Sequence, residues 1–293
     1  MKSFNLINNY FRIEGYRTSF NNLAINTFDI DFESWYKRQL FFNKYCAYSF
    51  IHKNQVVSNV SVSKMELIVD GIRKKAIQLG TVMTSPEYRN QGLAAALINH
   101  IIEKYEKECD FIYLFANDSV LDFYPKFGFK KAIESKYIMD TAQLSSKKPS
   151  IINRLNPENA DDYKTIIRIA SNRIPISEKL SAVNDNWPLI VYCLYEFKND
   201  LYYLKEEDAI VILRREENTL HIYDVLSLKP FDLDNIIEKV KDKPDEKIEF
   251  HFIPELKKYE VTRALIERQD DTLFVRGEAA LPDEILFPMT SQT

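Results

Sequence analysis

A mixed α+β fold is what the order of apolar patterns predicts: a mixed sheet flanked by helices, followed by a second unit of similar rhythm. Three observations carry this. In the first half a helical stripe, antiparallel strand-like runs, a long helix, a strand, a short helix and a final strand region follow one another. The second half repeats a similar sequence of elements with different residues. Between them lies Ser145-Ser146-Lys147-Lys148-Pro149-Ser150, a small, polar, Pro-containing run with the character of a linker. The expected domains are therefore residues 1–145 and 150–293.

Residues 32–42, with Trp35, Tyr36, Phe41 and Phe42, read as a short amphipathic helix whose aromatic stripe suits a core better than a pocket wall. Residues 45–51 and 56–68 read as strands joined by a turn at His52-Lys53-Asn54-Gln55. Asp70-Gly71 marks a tight hairpin into a strand over 75–84. Leu93, Ala96, Leu97, His100, Ile101 and Tyr105 recur at helical spacing, predicting a helix over 93–109. Residues 111–116 form a strand, 119–126 a short helix, and 129–139 a final strand region. In the second half, 159–169 is helical and 188–196 is helix or strand. Residues 208–214 and 220–226 make a hairpin, and 231–240 a helix capped near Asp232. Strands are expected at 247–253 and 272–276, with a Pro-punctuated tail after them.

Composition narrows the function. The 293 residues are 45% hydrophobic and 28% charged, enough for a sizeable core in each of two domains. The net charge of -4 leaves no basic footprint for a nucleic acid and slightly favours a cationic or neutral small substrate. Cys46, Cys109 and Cys193 are an odd, widely spaced set, which points to free thiols in a reducing cytoplasm. The N-terminus is too polar for a signal peptide, and no apolar run approaches the ~20 residues of a membrane helix. A cytosolic location and no membrane partner are expected. None of the four histidines, His52, His100, His221 and His251, stands at metal-ligand spacing in the sequence, so no metal is expected.

The run that carries chemistry is Gln78 to Ala94, a strand end, a loop with Arg89 and Gly92, and an immediate helix. Unpaired N–H groups at a helix N-terminus and the helix dipole together make an anion cradle. Gly92 permits close backbone approach, and Arg89 either contacts an anion or braces the loop. A second constellation, Asn117-Asp118-Ser119-Val120-Leu121-Asp122-Phe123-Tyr124-Pro125-Lys126-Phe127-Gly128-Phe129, ends a strand and starts another. Tyr124 there is open to two readings: a ring packed beneath the sheet, or a phenol facing a gap between strands and able to give up a proton.

Pro86-Glu87-Tyr88-Arg89-Asn90-Gln91-Gly92-Leu93-Ala94 followed by this second run resembles the GNAT acyl-CoA N-acyltransferase superfamily. The detailed resemblance covers residues 79–129. It implies acetyl-CoA as co-substrate, with the Val82, Met83 and Thr84 backbone along the pantetheine arm. Arg89, Asn90, Gln91, Gly92, Leu93 and Ala94 would hold the pyrophosphate, Asn117 would lie near the cofactor arm, and Tyr124 would protonate the departing thiolate. The implied reaction is direct acetyl transfer to a small-molecule or peptide amine. Many members place a glutamate base near the central strand; here that position is Gln78, which cannot take a proton.

The layout is similar to tandem enzymes of the enhanced-intracellular-survival type, without their third, sterol-carrier-like domain. Residues 225–232 stand where a second phosphate loop would be and contain no glycine, so the second unit is expected to be degenerate. In that family the tail returns to the site, and by the same resemblance the Thr293 carboxylate fills the vacant base role, anchored by Phe287 and Pro288. A frayed terminus is the alternative. Two other functions share the architecture: a non-catalytic acyl-CoA-binding protein, and a tandem-GNAT aminoacyl or peptidyl transferase, which would want a basic tRNA-binding surface.

Overall fold

The computed structural model describes residues 3–40, 44–144, 152–183, 186–266, 270–277, 281 and 284–293. The predicted linker and Phe41 and Phe42 lie outside them. In chain order the elements begin with β1 (Asn5–Asn8), α1 (Glu14–Phe28) and α2 (Glu33–Lys37). Three long strands follow, β2 (Tyr45–His52), β3 (Gln55–Val69) and β4 (Ile72–Thr84), then α3 (Leu93–Tyr105) and β5 (Phe111–Ala116). Next come β6 (Lys130–Lys131), β7 (Ser135–Asp140), β8 (Asn153–Arg154), α4 (Ala160–Ala170), β9 (Leu180–Val183) and α5 (Asn186–Val191). The chain continues with β10 (Leu201–Leu204), β11 (Ala209–Glu216), β12 (Thr219–Ser227), α6 (Leu233–Val240), β13 (Lys247–Phe250), β14 (Thr262–Leu265) and β15 (Thr272–Gly277).

Two mixed sheets result. The first has the order β1-β2-β3-β4-β5-β15-β6, with β9 also paired to β3; the second runs β14-β7-β13-β12-β11-β10-β8. The mixed α+β class is therefore as the sequence predicts, with helices flanking both sheets. The sheets do not divide the chain at one point. β7, before the polar run at 145–150, belongs to the second sheet, while β9 and β15, after it, belong to the first.

Local sequence explains most elements. Asn159 accepts from the Asp161 and Asp162 amides and Asp232 from the Asp234 amide, capping α4 and α6. Asp70 and Gly71 both take positive φ in the β3–β4 hairpin. Several expectations are corrected. The helix predicted to reach residue 109 ends at Tyr105. Residues 119–126 form two 3-10 turns, Asp118–Val120 and Tyr124–Phe127, rather than one helix. The strand expected over 129–139 is split into β6 and β7, which lie in different sheets. Residues 188–196, left open between helix and strand, are helical, ending in a π-helical turn at Tyr192–Glu196.

One core spans both halves of the chain. Leu67, Phe111 and Tyr113 of the first sheet share it with Met139, Val211, Leu213, Ile222 and Phe250 of the second. A separate core under α3 joins Leu97, Ile98 and Ile101 to Val60, Val62, Ile77, Leu79, Ile112 and Leu114. This second core fixes the long helix against β4 and β5 and so sets where its N-terminus points. Among the described residues no helix is long and apolar enough to cross a membrane.

Candidate active site

β4 and β5 run parallel, but only Ala76–Leu79 pairs with Phe111–Leu114. Beyond Leu79 the two strands part. The cause lies on the other side of β4. Asn59 pairs with Met83 while Ser61 pairs with Gly80, so β4 carries an extra residue in a bulge. Thr81, in that bulge, has a φ of 48°, a left-handed conformation that a β-branched residue rarely adopts. It is held there by Asn59 Nδ2, which donates to the Thr81 carbonyl (2.8 Å), and by a 2.9 Å hydroxyl contact with Tyr45. Such strain persists only where surrounding contacts enforce it.

The split opens into a cleft of about 1240 Å³. At one end is the N-terminus of α3. Gly92 precedes it with a φ of 75°, and a Cβ there would meet nothing within 4 Å, so its requirement is conformational and its surroundings are open. The amides of the first turn of α3 point outward without helical partners. Arg89 donates through Nε to the Thr84 carbonyl at 3.2 Å, which braces the loop against the strand end.

Val82, Met83, Thr84, Arg89, Asn90, Gly92, Leu93, Ala94, Asn117, Tyr124 and Thr293 all line this one cleft. Gln91 does not; its side chain turns back to the Glu87 carbonyl (3.4 Å). Tyr124 reconciles the two readings offered by the sequence. Its ring packs against Phe129 and Phe274 and is 4% exposed, yet it reaches the cleft. Burial pushes its phenol up to about 12, so it is protonated at neutral pH.

The tail is packed, not frayed. Phe287 is 1% exposed and packs its ring tilted against Tyr113 and edge-on against Phe115, with its amide donating to Glu134 Oε1 (2.9 Å). Thr290 then donates to Asp224, and Arg173 donates to the Ser291 hydroxyl (3.4 Å). Arg173 and Asp224 form a 3.4 Å ion pair with side chains only 2% and 1% exposed. Thr293 ends up beside Gly80. Gln78 Nε2 donates to the Thr293 main-chain oxygen at 3.2 Å, and Gln78 is itself fixed by the Tyr113 hydroxyl (3.2 Å). The Ser63 hydroxyl donates to Thr293 Oγ1 (3.3 Å).

The remaining wall was not foreseen. Phe28, Asp29, Asp31 and Trp35 line the cleft from the α1–α2 region, and Trp187, Tyr192, Tyr195, Glu196 and Asp271 from the second half. Trp35, expected to suit a core, does pack against the core through Phe32 (4.6 Å ring to ring) and also lines the cleft, 6.0 Å from Tyr195. The sequence signal for the second-half wall is faint: Tyr192 and Tyr195 sit on a π-helical turn, a local irregularity that often marks functional sites but has no clear sequence pattern.

Comparison with known proteins agrees with this geometry. Residues 15–132 match the model of the acetyltransferase (GNAT) domain. No curated protein matches the chain in sequence. Among solved structures, a probable N-acyltransferase from Enterococcus faecalis, described as a conserved protein of unknown function, is 16% identical. It covers 99% of this chain and 74% of its own, with a TM-score of 0.60. A GCN5-related N-acetyltransferase from Kribbella flavida is 14% identical, covers 94% of this chain and 72% of its own, and has a TM-score of 0.58. Eis1 from Mycobacterium abscessus is 14% identical over 94% of this chain and 73% of its own, also at 0.58. Residues 15–132 thus match a GNAT acetyltransferase domain, and the chain shares its fold over nearly its whole length with solved structures described as N-acyltransferases or N-acetyltransferases.

Proposed function

We propose that the chain is an acetyl-CoA-dependent N-acetyltransferase acting on a cationic small-molecule or peptide amine. The observation that carries this is the split between β4 and β5, which opens onto the N-terminus of α3 at one end and onto Tyr124 and Thr293 within the same cleft. Such a cleft fits a pantetheine arm along the unpaired edge of Val82, Met83 and Thr84, with the pyrophosphate on residues 89–94 and Asn117 beside the arm. Its volume of about 1240 Å³ exceeds the ~300–1,000 Å³ of common single-ligand pockets, as two substrates require.

The reaction follows from the groups present. A neutral amine attacks the thioester carbonyl; the C–N bond forms and the oxygen takes the negative charge, where main-chain N–H groups of β4 stabilise it. Collapse breaks the C–S bond. Tyr124 hands its proton to the departing thiolate, and the proton lost by the amine goes to the Thr293 carboxylate. Gln78 cannot act as base, but by donating to Thr293 it orients that oxygen. The cleft lining is acidic: Asp29, Asp31, Glu196 and Asp271 line it, against Arg89 alone among the Lys and Arg of the described residues. Tyr195 keeps its hydroxyl buried with no hydrogen-bond partner among the described residues, a group available to a polar acceptor.

Calorimetric titration with acetyl-CoA is the direct test, beside an Arg89→Ala, Gly92→Asp double variant. Micromolar binding that the double variant loses, followed by acetylation of cationic amines, supports the reading. A wild-type protein that ignores acetyl-CoA refutes it, and one that binds without acetylating any amine refutes the enzymatic part. Intact-mass measurement of the native protein tests the base: a chain continuing past Thr293 leaves no carboxylate there.

A further inference from the structure

The second sheet brings together a group of side chains that the cleft does not use. β12 and β13 are parallel neighbours, with His221 opposite Glu249 and Ile222 opposite Phe250. His251 continues the ladder, its amide donating to the Ile222 carbonyl (2.9 Å). Strand alternation turns Leu220, Ile222, Ile248 and Phe250 into the core. It therefore puts His221 and Tyr223 of β12 and Glu249 and His251 on the opposite face.

On that face His221 Nδ1 lies 3.1 Å from His251 Nε2. One ligand atom from each of His221, Glu249 and His251 falls within 4.8 Å of the others, and all three residues are half-buried. Two imidazole nitrogens bound tetrahedrally to one zinc ion at ~2.0–2.1 Å stand roughly 3.3 Å apart. The observed separation is within a few tenths of an ångström of that value. Two further features resemble a built centre. His221 turns its other nitrogen, Nε2, to the side of the Glu216 carboxylate, 4.0 Å away, which places a negative charge beside the ring without a hydrogen bond. Tyr223 stacks on the His251 ring at 4.1 Å and 15°, which limits its rotation. None of these residues lines the acyltransferase cleft.

We propose that His221, Glu249 and His251 bind one divalent transition-metal ion, Zn²⁺ by ligand type, which cross-links β12 to β13. Two imidazoles and a carboxylate leave a fourth position for water. The histidines are far apart in sequence and meet only through the parallel pairing of their strands, so no sequence spacing announces them.

The test uses untagged full-length protein, stripped with a chelator and dialysed. Calorimetry should give one Zn²⁺ per chain at micromolar or tighter Kd, and Co²⁺ should give the visible bands of a tetrahedral site. His251→Ala and the near-isosteric Glu249→Gln should each weaken Zn²⁺ binding at least tenfold, while His100→Ala, on α3, leaves it unchanged. Zn²⁺ should also raise the thermal midpoint of the wild type but not of His221→Ala, because an ion that binds only the folded state stabilises it. Absence of stoichiometric Zn²⁺ binding, or binding that survives in Glu249→Gln and His251→Ala alike, overturns the proposal.

Discussion

Gly80→Ala tests the placement of the tail most directly. Gly80 has an ordinary φ, so alanine strains no backbone there. Its Cβ, however, would stand 2.8 Å from the Thr293 main-chain oxygen, 3.2 Å from its carbonyl carbon and 3.3 Å from its Oγ1. Ordinary contact begins near 3.4 Å, so Thr293 must recede by about 0.6 Å. The 3.2 Å hydrogen bond from Gln78 is then stretched past useful length. A 1 Å misplacement in an active site costs on the order of 10²-fold in rate, so about 0.6 Å corresponds to roughly ten- to twentyfold in kcat. Steady-state kinetics at saturating acetyl-CoA reads this, with the KM for acetyl-CoA little changed. A double-mutant cycle isolates the cause: once Thr293 is deleted, Gly80→Ala should cost nothing more. Wild-type kcat in Gly80→Ala, or a full further loss in the Thr293 deletion, would show that the tail oxygen is not the operative group.

Tyr124→Phe should lower kcat by ~10²–10⁴-fold with acetyl-CoA affinity retained, as loss of a proton donor does. Because burial raises the phenol to about 12, the wild-type enzyme should show no alkaline loss of kcat from this group below about pH 11; an alkaline limb near 10 that vanishes in Tyr124→Phe would contradict the burial argument. Asp224→Ala leaves the Arg173 guanidinium buried without its carboxylate, and denaturant unfolding should show a loss of ~3–5 kcal/mol. Gly92→Ala puts a side chain at a φ of 75° in open space, so unfolding should report a strain cost of ~1–2 kcal/mol and no steric defect.

What could be read in the sequence was local. The strand, loop and helix around Arg89 and Gly92, the hairpin of 208–214 with 220–226 and the cap at Asp232 depend on neighbours within a few residues. α1 was missed because Ser19, Asn21, Asn22, Asn26 and Thr27 are weak helix formers, and only Phe20, Leu23 and Ala24 are buried on it. Ile13 gives it no side-chain cap. Tertiary packing against β3 holds this helix, not its own propensity. The acidic wall and the His221–His251 pair come from contacts between distant segments, which periodicity does not encode. Of the tail's anchors, Phe287 was legible as an apolar residue near the end of the chain, but nothing near Arg173 or Asp224 announces the buried ion pair that also holds the tail.

The two sheets also repeat one motif, a bulged hairpin that leads through a helix into a parallel strand. In the first, a bulged hairpin of β3 and β4 leads into α3 and then β5, with four residue pairs between the parallel strands. In the second, the hairpin of β11 and β12, bulged at Ile212/Leu213, leads into α6 and then β13, again with four parallel pairs. Each pair of strands should therefore part beyond its short ladder. On the first side β5 is held along all six residues by β15, so the opening persists between β4 and β5. On the second side the end of β12 bears Asp224, and there Thr290 and Ser291 are bound through Asp224 and Arg173. Residues 225–232, which follow there, contain no glycine. The last part of the chain thus flanks β5 through β15, is held by Asp224 and Arg173 at Thr290 and Ser291, and brings Thr293 to the cleft between β4 and β5.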